Sequence, residues 1–141
     1  MYLLDTNICI YLLKNTYPVL TERVFRHDPI EVCISSITVF ELEYGAEKSN
    51  WGEKTRQKLA MFLSPFTILP FATDDAVEAG RIRGYLEKKG TPIGPYDLQI
   101  AAQGISRNMI VVTNNIQEFV RVPGLQVEDW VGSGNNKKGK L

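Results

Sequence analysis

Short apolar runs alternate with longer segments of helical spacing along most of the chain. The runs have the length of β-strands and lie at residues 2–4, 32–35, 66–69, 110–113 and 125–127. Between them, apolar residues recur every three or four positions, which predicts helices over 7–13, 18–25, 36–47, 51–63, 73–89 and 95–107. This alternation predicts an α/β fold, with a central parallel β-sheet flanked by crossover helices.

The helix over 73–89 has the clearest predicted ends. Thr73 has the residue type of an N-cap, acidic residues follow in the first turn, and Gly90 stands where a helix often ends. The segment 90–95 is rich in Gly and Pro, which predicts an ordered loop between two helices. We therefore expect one domain over residues 1–131, followed by a flexible basic tail over 132–141.

Composition narrows the possible functions. The chain has 141 residues, 44% of them hydrophobic, and equal numbers of basic and acidic residues, 16 each, give no net charge. Any contact with nucleic acid must therefore be local. Cys9 and Cys33 lie in apolar segments without metal-binding spacing, and His27 is the single histidine, which argues against a disulfide scaffold, a zinc site or histidine catalysis. With no signal peptide pattern and no apolar run of bilayer length, we expect a cytoplasmic protein without a membrane partner.

Four acidic residues lie in or directly beside apolar segments, where a protein core favours apolar side chains. Asp5 directly follows the first strand, Glu41 lies in the apolar stripe of the third helix, Asp97 begins the helix after Pro95, and Glu118 follows the fourth strand. Each has a simple structural alternative. These are a helix N-cap for Asp5, a solvent-exposed stripe edge for Glu41, stabilisation of the helix dipole for Asp97, and an ordinary surface acid for Glu118.

Their convergence favours a functional site. A parallel sheet carries Asp5 and the segment 115–118 to one edge, and the crossover helices bring Glu41 and Asp97 toward it. Carboxylates collected in one pocket repel each other, and a hard cation such as Mg²⁺ or Mn²⁺ relieves that repulsion without histidine or cysteine ligands. Such an ion can polarise a phosphodiester and activate water.

Four segments contain these acids and their neighbours. They are, in chain order, Leu3-Leu4-Asp5-Thr6-Asn7, Ile34-Ser35-Ser36-Ile37-Thr38-Val39-Phe40-Glu41-Leu42, Gly90-Thr91-Pro92-Ile93-Gly94-Pro95-Tyr96-Asp97 and Val112-Thr113-Asn114-Asn115-Ile116-Gln117-Glu118-Phe119. Together they resemble the VapC toxins, which are ribonucleases with a PIN domain. The resemblance covers roughly residues 1 to 130 and implies a PIN-like fold with the acidic site at the carboxyl ends of the strands.

The resemblance also implies an activity and partners. It implies a Mg²⁺- or Mn²⁺-dependent endoribonuclease that inhibits translation by cutting RNA, often a tRNA, forms a homodimer and is neutralised by a VapB-type antitoxin. The implied catalytic residues are Asp5, Glu41, Asp97 and Glu118, of which Asp5, Asp97 and Glu118 hold metal, with Thr6, Asn7 and Asn115 in supporting roles. Many members of the family carry Asp where this chain has Asn115, and Glu118 is the candidate to supply the missing charge.

Two other functions fit parts of the pattern. One is a PIN domain that has lost catalysis and binds RNA or protein. The other is a phosphohydrolase with Asp5 as nucleophile, although Asp5-Thr6-Asn7 lacks the second acid of a DxD motif. Aromatic residues add a further possibility: Tyr96, beside Asp97, is a candidate for stacking on a base, with a rim or core position as the alternative.

Overall fold

All five strands of the described sheet run parallel, as the alternating pattern predicts. In the computed structural model, which describes residues 1–49 and 52–132, the strands are β1 (Tyr2–Leu4), β2 (Val32–Ser35), β3 (Thr67–Leu69), β4 (Ile110–Val112) and β5 (Gln126–Glu128). Their order in the sheet is β3-β2-β1-β4-β5. The chain steps outward from β1 to β3 on one side and returns to β4 on the other, which creates a crevice at the carboxyl ends of β1 and β4.

The predicted helices are confirmed, and their described ends differ from prediction by one residue at most. They are α1 (Thr6–Lys14), α2 (Pro18–Arg26), α3 (Ser36–Lys48), α4 (Gly52–Leu63), α5 (Thr73–Lys89) and α6 (Pro95–Ser106). A short 3-10 turn (Pro29–Glu31) and the short helix α7 (Ile116–Phe119) were not predicted. Trp51 and residues 133–141 of the predicted tail lie outside the described residues. No described helix combines the length and apolarity needed to cross a bilayer.

The sheet separates two hydrophobic cores because neighbouring residues of a strand point to opposite faces. Leu4, Ile34 and Val112 face a core formed with α1 to α4. Leu3 and Val111 face a second core formed with α5, α6 and α7. With apolar residues on both faces, β1 and β4 are buried except at their amino ends, where Tyr2 and Ile110 are half-buried. The polar residues that follow these strands, Asp5 and Thr113, are buried as well.

The start of α5 differs from the prediction. Ala72, and not Thr73, occupies the N-cap position, and its side chain cannot cap the helix. Instead, the carboxylate of Asp75 in the first turn accepts a hydrogen bond from the Ala72 N–H at 2.8 Å. Asp75 is fully buried and also accepts from the Ser106 hydroxyl at 2.7 Å and from Arg107 at 3.0 Å. Burial would raise the pKa of Asp75, but these hydrogen bonds outweigh it and lower the pKa. Asp75 therefore fastens the beginning of α5 to the end of α6.

Gly104 in α6 allows the helix to pack directly on the sheet. A Cβ atom at this position would lie 2.8 Å from the side chains of both Val111 and Leu125. We expect Gly104→Ala to lower the free energy of unfolding by about 1–3 kcal/mol through overpacking. At Gly84 in α5 a Cβ atom would meet nothing within 4 Å, so the matched Gly84→Ala variant should gain up to about 1 kcal/mol from helix propensity. Urea denaturation of both variants measures the difference, and equal stability would contradict this account of Gly104.

Candidate active site

Asp5 lies where β1 ends and α1 begins. Its backbone N–H donates to the Val112 carbonyl at 3.0 Å, which extends the pairing of β1 with β4 by one residue. Its carboxylate accepts from the Ile8 N–H at 2.9 Å, so that Asp5 is also the N-cap of α1. Asp5 is therefore a helix N-cap, as the structural alternative predicts, but capping alone does not explain why a carboxylate is buried here. Asp5 is only 2% exposed, and at that depth a cap of Ser or Thr would avoid burying a charge.

Two threonine hydroxyls orient Glu41. Thr6, at the first position of α1, donates to Glu41 Oε1 at 2.6 Å, and its oxygen is 3.0 Å from the hydroxyl of Thr38. A hydroxyl carries one proton. Because the proton of Thr6 is directed to Glu41, Thr38 must be the donor to Thr6. Thr38 was not among the predicted site residues, although its spacing of three residues from Glu41 on α3 places both on one face of the helix.

We call the hydrogen bonds from Thr38 to Thr6 and from Thr6 to Glu41 the relay. Substitution of Thr6 should reduce activity more than substitution of Thr38. We expect Thr6→Val to reduce kcat about 10- to 100-fold, because Glu41 loses the donor that orients it. Thr38→Val leaves that bond in place and should reduce kcat less, whereas Thr38→Ser, which keeps the hydroxyl, should restore it. In an assay of the ribonuclease activity that the sequence resemblance implies, cleavage rates at saturating RNA measure these effects. Equal rates for the Val and Ser variants of Thr38 would contradict the relay.

Asp97 and Glu118 form the other side of the site. Asp97 lies in the first turn of α6, and its carboxyl group shares a hydrogen bond with that of Glu118 from α7. Glu118 also accepts from the Gly94 N–H at 3.1 Å and from the Asn115 amide at 3.2 Å. Asn115 is thus a hydrogen-bond donor to Glu118, a role that an aspartate at this position would not fill in its ionised form.

The supporting residues predicted beside Asp5 differ in how they join the site. Thr6 is buried and contributes its hydroxyl to Glu41. Asn7 is exposed and contributes its backbone N–H, which bonds the Asp5 carboxylate. Thr113 was not predicted. Its buried hydroxyl bonds Asp5 and also accepts from the Asn115 N–H at 2.8 Å, so that it connects the two acidic strand ends.

The acids influence one another electrostatically. Burial is the largest cause that raises the pKa of Asp5 from 3.8 to about 6, and the charge of Glu41 adds to it. Burial, the shared hydrogen bond with Glu118, and the charges of Glu118, Asp5 and Glu41 raise the pKa of Asp97 from 3.8 to about 7. Burial would also raise the pKa of Glu118, but its hydrogen bonds and the charge of Arg121 outweigh it and lower the pKa. The structure thus places Asp97 within electrostatic range of the other three predicted acids, and Asp5 within range of Glu41.

The chemistry of these donors suits a hard divalent cation. Within residues 1–49 and 52–132, no three side chains of His, Cys, Asp or Glu lie close enough together to hold an ion as they stand. The available ligands are nevertheless carboxylate oxygens, which Mg²⁺ and Mn²⁺ prefer, and Mg²⁺ commonly keeps several water ligands beside one or two carboxylates. A cation would also replace the proton that Asp97 and Glu118 share. The residues present therefore fit such an ion.

The parallel sheet with acids at its carboxyl edge defines the class of protein, and comparison with known proteins agrees. The model of the PIN domain matches residues 2–125. The "tRNA(fMet)-specific endonuclease VapC" of Salmonella typhimurium is 46% identical over 92% of this chain and 97% of its own length. The "Ribonuclease VapC2" of Haemophilus influenzae is 44% identical over 92% of this chain and 98% of its own length.

Solved structures give the same result. The DNA-bound VapBC of Salmonella typhimurium superposes with a TM-score of 0.87 at 46% identity, covering 92% of this chain and 97% of that chain. VapBC2 of Rickettsia felis, bound to a DNA fragment from its promoter, superposes with a TM-score of 0.86 at 38% identity, covering 92% and 98%. The chain belongs to the PIN-domain family, and within it to the VapC ribonucleases.

Proposed function

We propose that this protein is the toxin of a type II toxin–antitoxin system, an endoribonuclease that hydrolyses phosphodiester bonds with the help of a divalent metal ion. The observation that carries the proposal is the cluster of Asp5, Glu41, Asp97 and Glu118 at the crevice between β1 and β4, where burial and the charges of neighbouring acids raise the pKa of Asp5 and Asp97. Groups with raised pKa values in a cleft are typical of functional sites.

Asp5, Asp97 and Glu118 are the residues that would hold the metal, directly or through its water ligands, and we propose Mg²⁺ as the ion, with Mn²⁺ as a substitute. When bound, the ion supplies positive charge for the phosphate oxygens and acidifies water. Thr6 and Thr38 hold the Glu41 carboxylate in one orientation, and Asn115 and the Gly94 N–H do the same for Glu118. With both carboxylates fixed before substrate arrives, little reorganisation is needed during the reaction.

Single-stranded parts of a tRNA are the proposed substrate. The name of the Salmonella relative specifies tRNA(fMet), and that protein is 46% identical to this chain over almost the full domain. Cleavage of a tRNA inhibits translation, which is the effect expected of a toxin. The zero net charge is consistent with a contact that is confined to the neighbourhood of the site.

A VapB-type antitoxin is the proposed protein partner, and we propose that the toxin forms a homodimer. Complexes with VapB are known for the superposed relatives from Salmonella typhimurium and Rickettsia felis. In this chain a groove of about 370 Å³ between α1, α3 and α4 is lined by Glu41 and by apolar residues that include Ile10, Leu13 and Leu59. An apolar antitoxin segment carrying an arginine would fill this groove and neutralise the acids.

Cleavage of total cellular RNA by the purified protein, shown to be free of antitoxin, tests the proposal. We expect discrete products with Mg²⁺ or Mn²⁺ that disappear with EDTA and with the Asp5→Asn variant. Binding of RNA without metal-dependent cleavage would instead indicate a PIN domain that only binds. Covalent phosphorylation of Asp5 by a phosphate ester would indicate a phosphohydrolase with an aspartate nucleophile.

A further inference from the structure

Three exposed aromatic side chains lie beside the acidic site. Phe40, Tyr44 and Tyr96 are 51%, 58% and 41% exposed. Phe40 directly precedes Glu41 on α3, and Tyr96 directly precedes Asp97 on α6. The rings of Phe40 and Tyr96 contact each other, with centroids 5.4 Å apart and planes at 63°. These two rings therefore bridge α3 and α6 at the rim of the site. We call Phe40, Tyr44 and Tyr96 the aromatic surface.

The aromatic surface continues along α3 and ends at a positive charge. Phe40, Tyr44 and Lys48 are spaced four residues apart, which places them on one face of the helix at intervals of about one turn, or about 5.4–6 Å. The Lys48 ammonium lies 5.2 Å from the centroid of the Tyr44 ring. Glu43 and Glu47, the acids on the neighbouring face of α3, are paired with Arg56 of α4.

A ribonuclease with an acidic site has to bind its substrate with other groups. The carboxylates repel the phosphates of an RNA strand, so that affinity for the nucleotides beside the cut must come from neutral or positive surfaces. Aromatic rings meet this requirement, because stacking with a base involves no net charge and accepts every base. Lysine supplies the contact with phosphate that the acids cannot make.

We propose that the aromatic surface stacks unpaired bases of the RNA next to the scissile phosphate, and that Lys48 binds a backbone phosphate at its far end. The inference rests on the proposed ribonuclease function and names residues that hold the substrate of that site. Two of the three rings adjoin the acids in sequence, and only unpaired bases can stack on exposed rings. The proposed occupant is therefore single-stranded RNA. A strand that places a phosphate among those acids brings its neighbouring bases to these rings.

Binding of oligonucleotides tests the proposal without cleavage. The probes are a fluorescent single-stranded RNA of eight nucleotides and an abasic strand of the same length, titrated in EDTA at low salt. Phe40→Leu, Tyr44→Leu and Tyr96→Leu remove the aromatic faces but keep apolar side chains. We expect each to raise the Kd for the RNA about 5- to 100-fold and to leave the Kd for the abasic strand unchanged.

The chain contains a close match to the Tyr44 and Lys48 pair. Tyr85 on α5 is 42% exposed and has Lys89 over its ring at 5.4 Å, but it lines a different groove, with Ile105 and Pro123, that contains none of the four acids. Tyr85→Leu and Lys89→Gln should therefore leave both Kd values unchanged. Lys48→Gln, in contrast, should weaken binding of the RNA and the abasic strand alike and reduce the salt dependence of both.

Cleavage assays and sedimentation separate this inference from the function on which it rests. With RNA as substrate and Mg²⁺ present, the three Leu variants should raise KM more than they lower kcat. Unchanged Kd and KM in these variants would overturn the stacking surface even if the protein cleaves RNA. It would also be overturned if the variants dissociate a dimer and lose affinity for the abasic strand equally, since the rings would then belong to an interface between two copies.

Discussion

Asp97→Asn is expected to reduce RNA cleavage at least about 100- to 1,000-fold while the protein remains folded and its melting temperature is unchanged or higher. Burial, the shared hydrogen bond with Glu118 and the charges of three other acids all disfavour the ionised form of Asp97 and raise its pKa to about 7. The substitution removes a charge that the folded state tolerates poorly. It also removes one of the carboxylates that we propose to hold the metal. Activity and stability should therefore change in opposite directions, as is common when a site is built at the expense of stability.

Cleavage of a defined RNA at saturating Mg²⁺ and thermal unfolding of the same preparations measure both effects. Asp74→Asn is the matched control, because Asp74 is an exposed acid in the first turn of α5 and the same change of charge there should leave cleavage intact. A large loss of stability in Asp97→Asn, with Asp74→Asn unaffected, would mean that Asp97 mainly supports the structure of α6.

The places of the acids on strand ends and helix faces could be predicted from the sequence, because strand direction and helical spacing are local properties. Asp5 and the segment around Asn115 each follow an apolar run, and parallel strands end at one edge whatever their order. The strand order itself, with β1 between β2 and β4, depends on which apolar faces pack together over long distances. The sequence therefore predicted that Asp5 and Glu118 converge, but not that the Asp5 N–H donates to Val112 of the adjacent strand.

Polar contacts between elements were the part that sequence did not show. Thr38 has the pattern of an ordinary helix residue, and its role depends on Thr6 from another element lying 3.0 Å away. Asp75 is one of the acidic residues in the first turn of α5, a position at which sequence alone predicts only a favourable interaction with the helix dipole. Its burial against Arg107 depends on the close packing of α5 on α6, two helices that the sequence places in order but not in contact. In both cases the residue type was visible and the partner was not.

The stability of the metal-free protein is expected to fall as the pH rises from about 4 to about 7. The pKa of Asp5 is about 6 and that of Asp97 about 7 in the folded state, both above the ordinary value of 3.8. Between pH 3.8, where the acids ionise in the unfolded state, and pH 6 to 7, where they ionise in the folded state, the folded state binds more protons. Stability is therefore retained at low pH and lost as the two acids ionise in the folded protein. For the buried Asp5 the shift corresponds to about 3 kcal/mol. Glu118 and Asp75, whose pKa values are lowered, act in the opposite direction, but only below about pH 4.5, at the lower end of this range.

Mg²⁺ should reverse this dependence in part. A cation among ionised carboxylates replaces repulsion by attraction, so the ion binds more tightly at pH 8 than at pH 5 and stabilises the fold more there. At about 100 times its Kd, a ligand that binds only the folded state contributes about 2.7 kcal/mol. Melting temperatures at pH 5 and pH 8, each with EDTA and with Mg²⁺, give the four values required. The double variant Asp5→Asn/Asp97→Asn should show little change with either pH or Mg²⁺. A wild-type protein whose melting temperature responds to Mg²⁺ equally at both pH values would show that the ion binds away from these carboxylates.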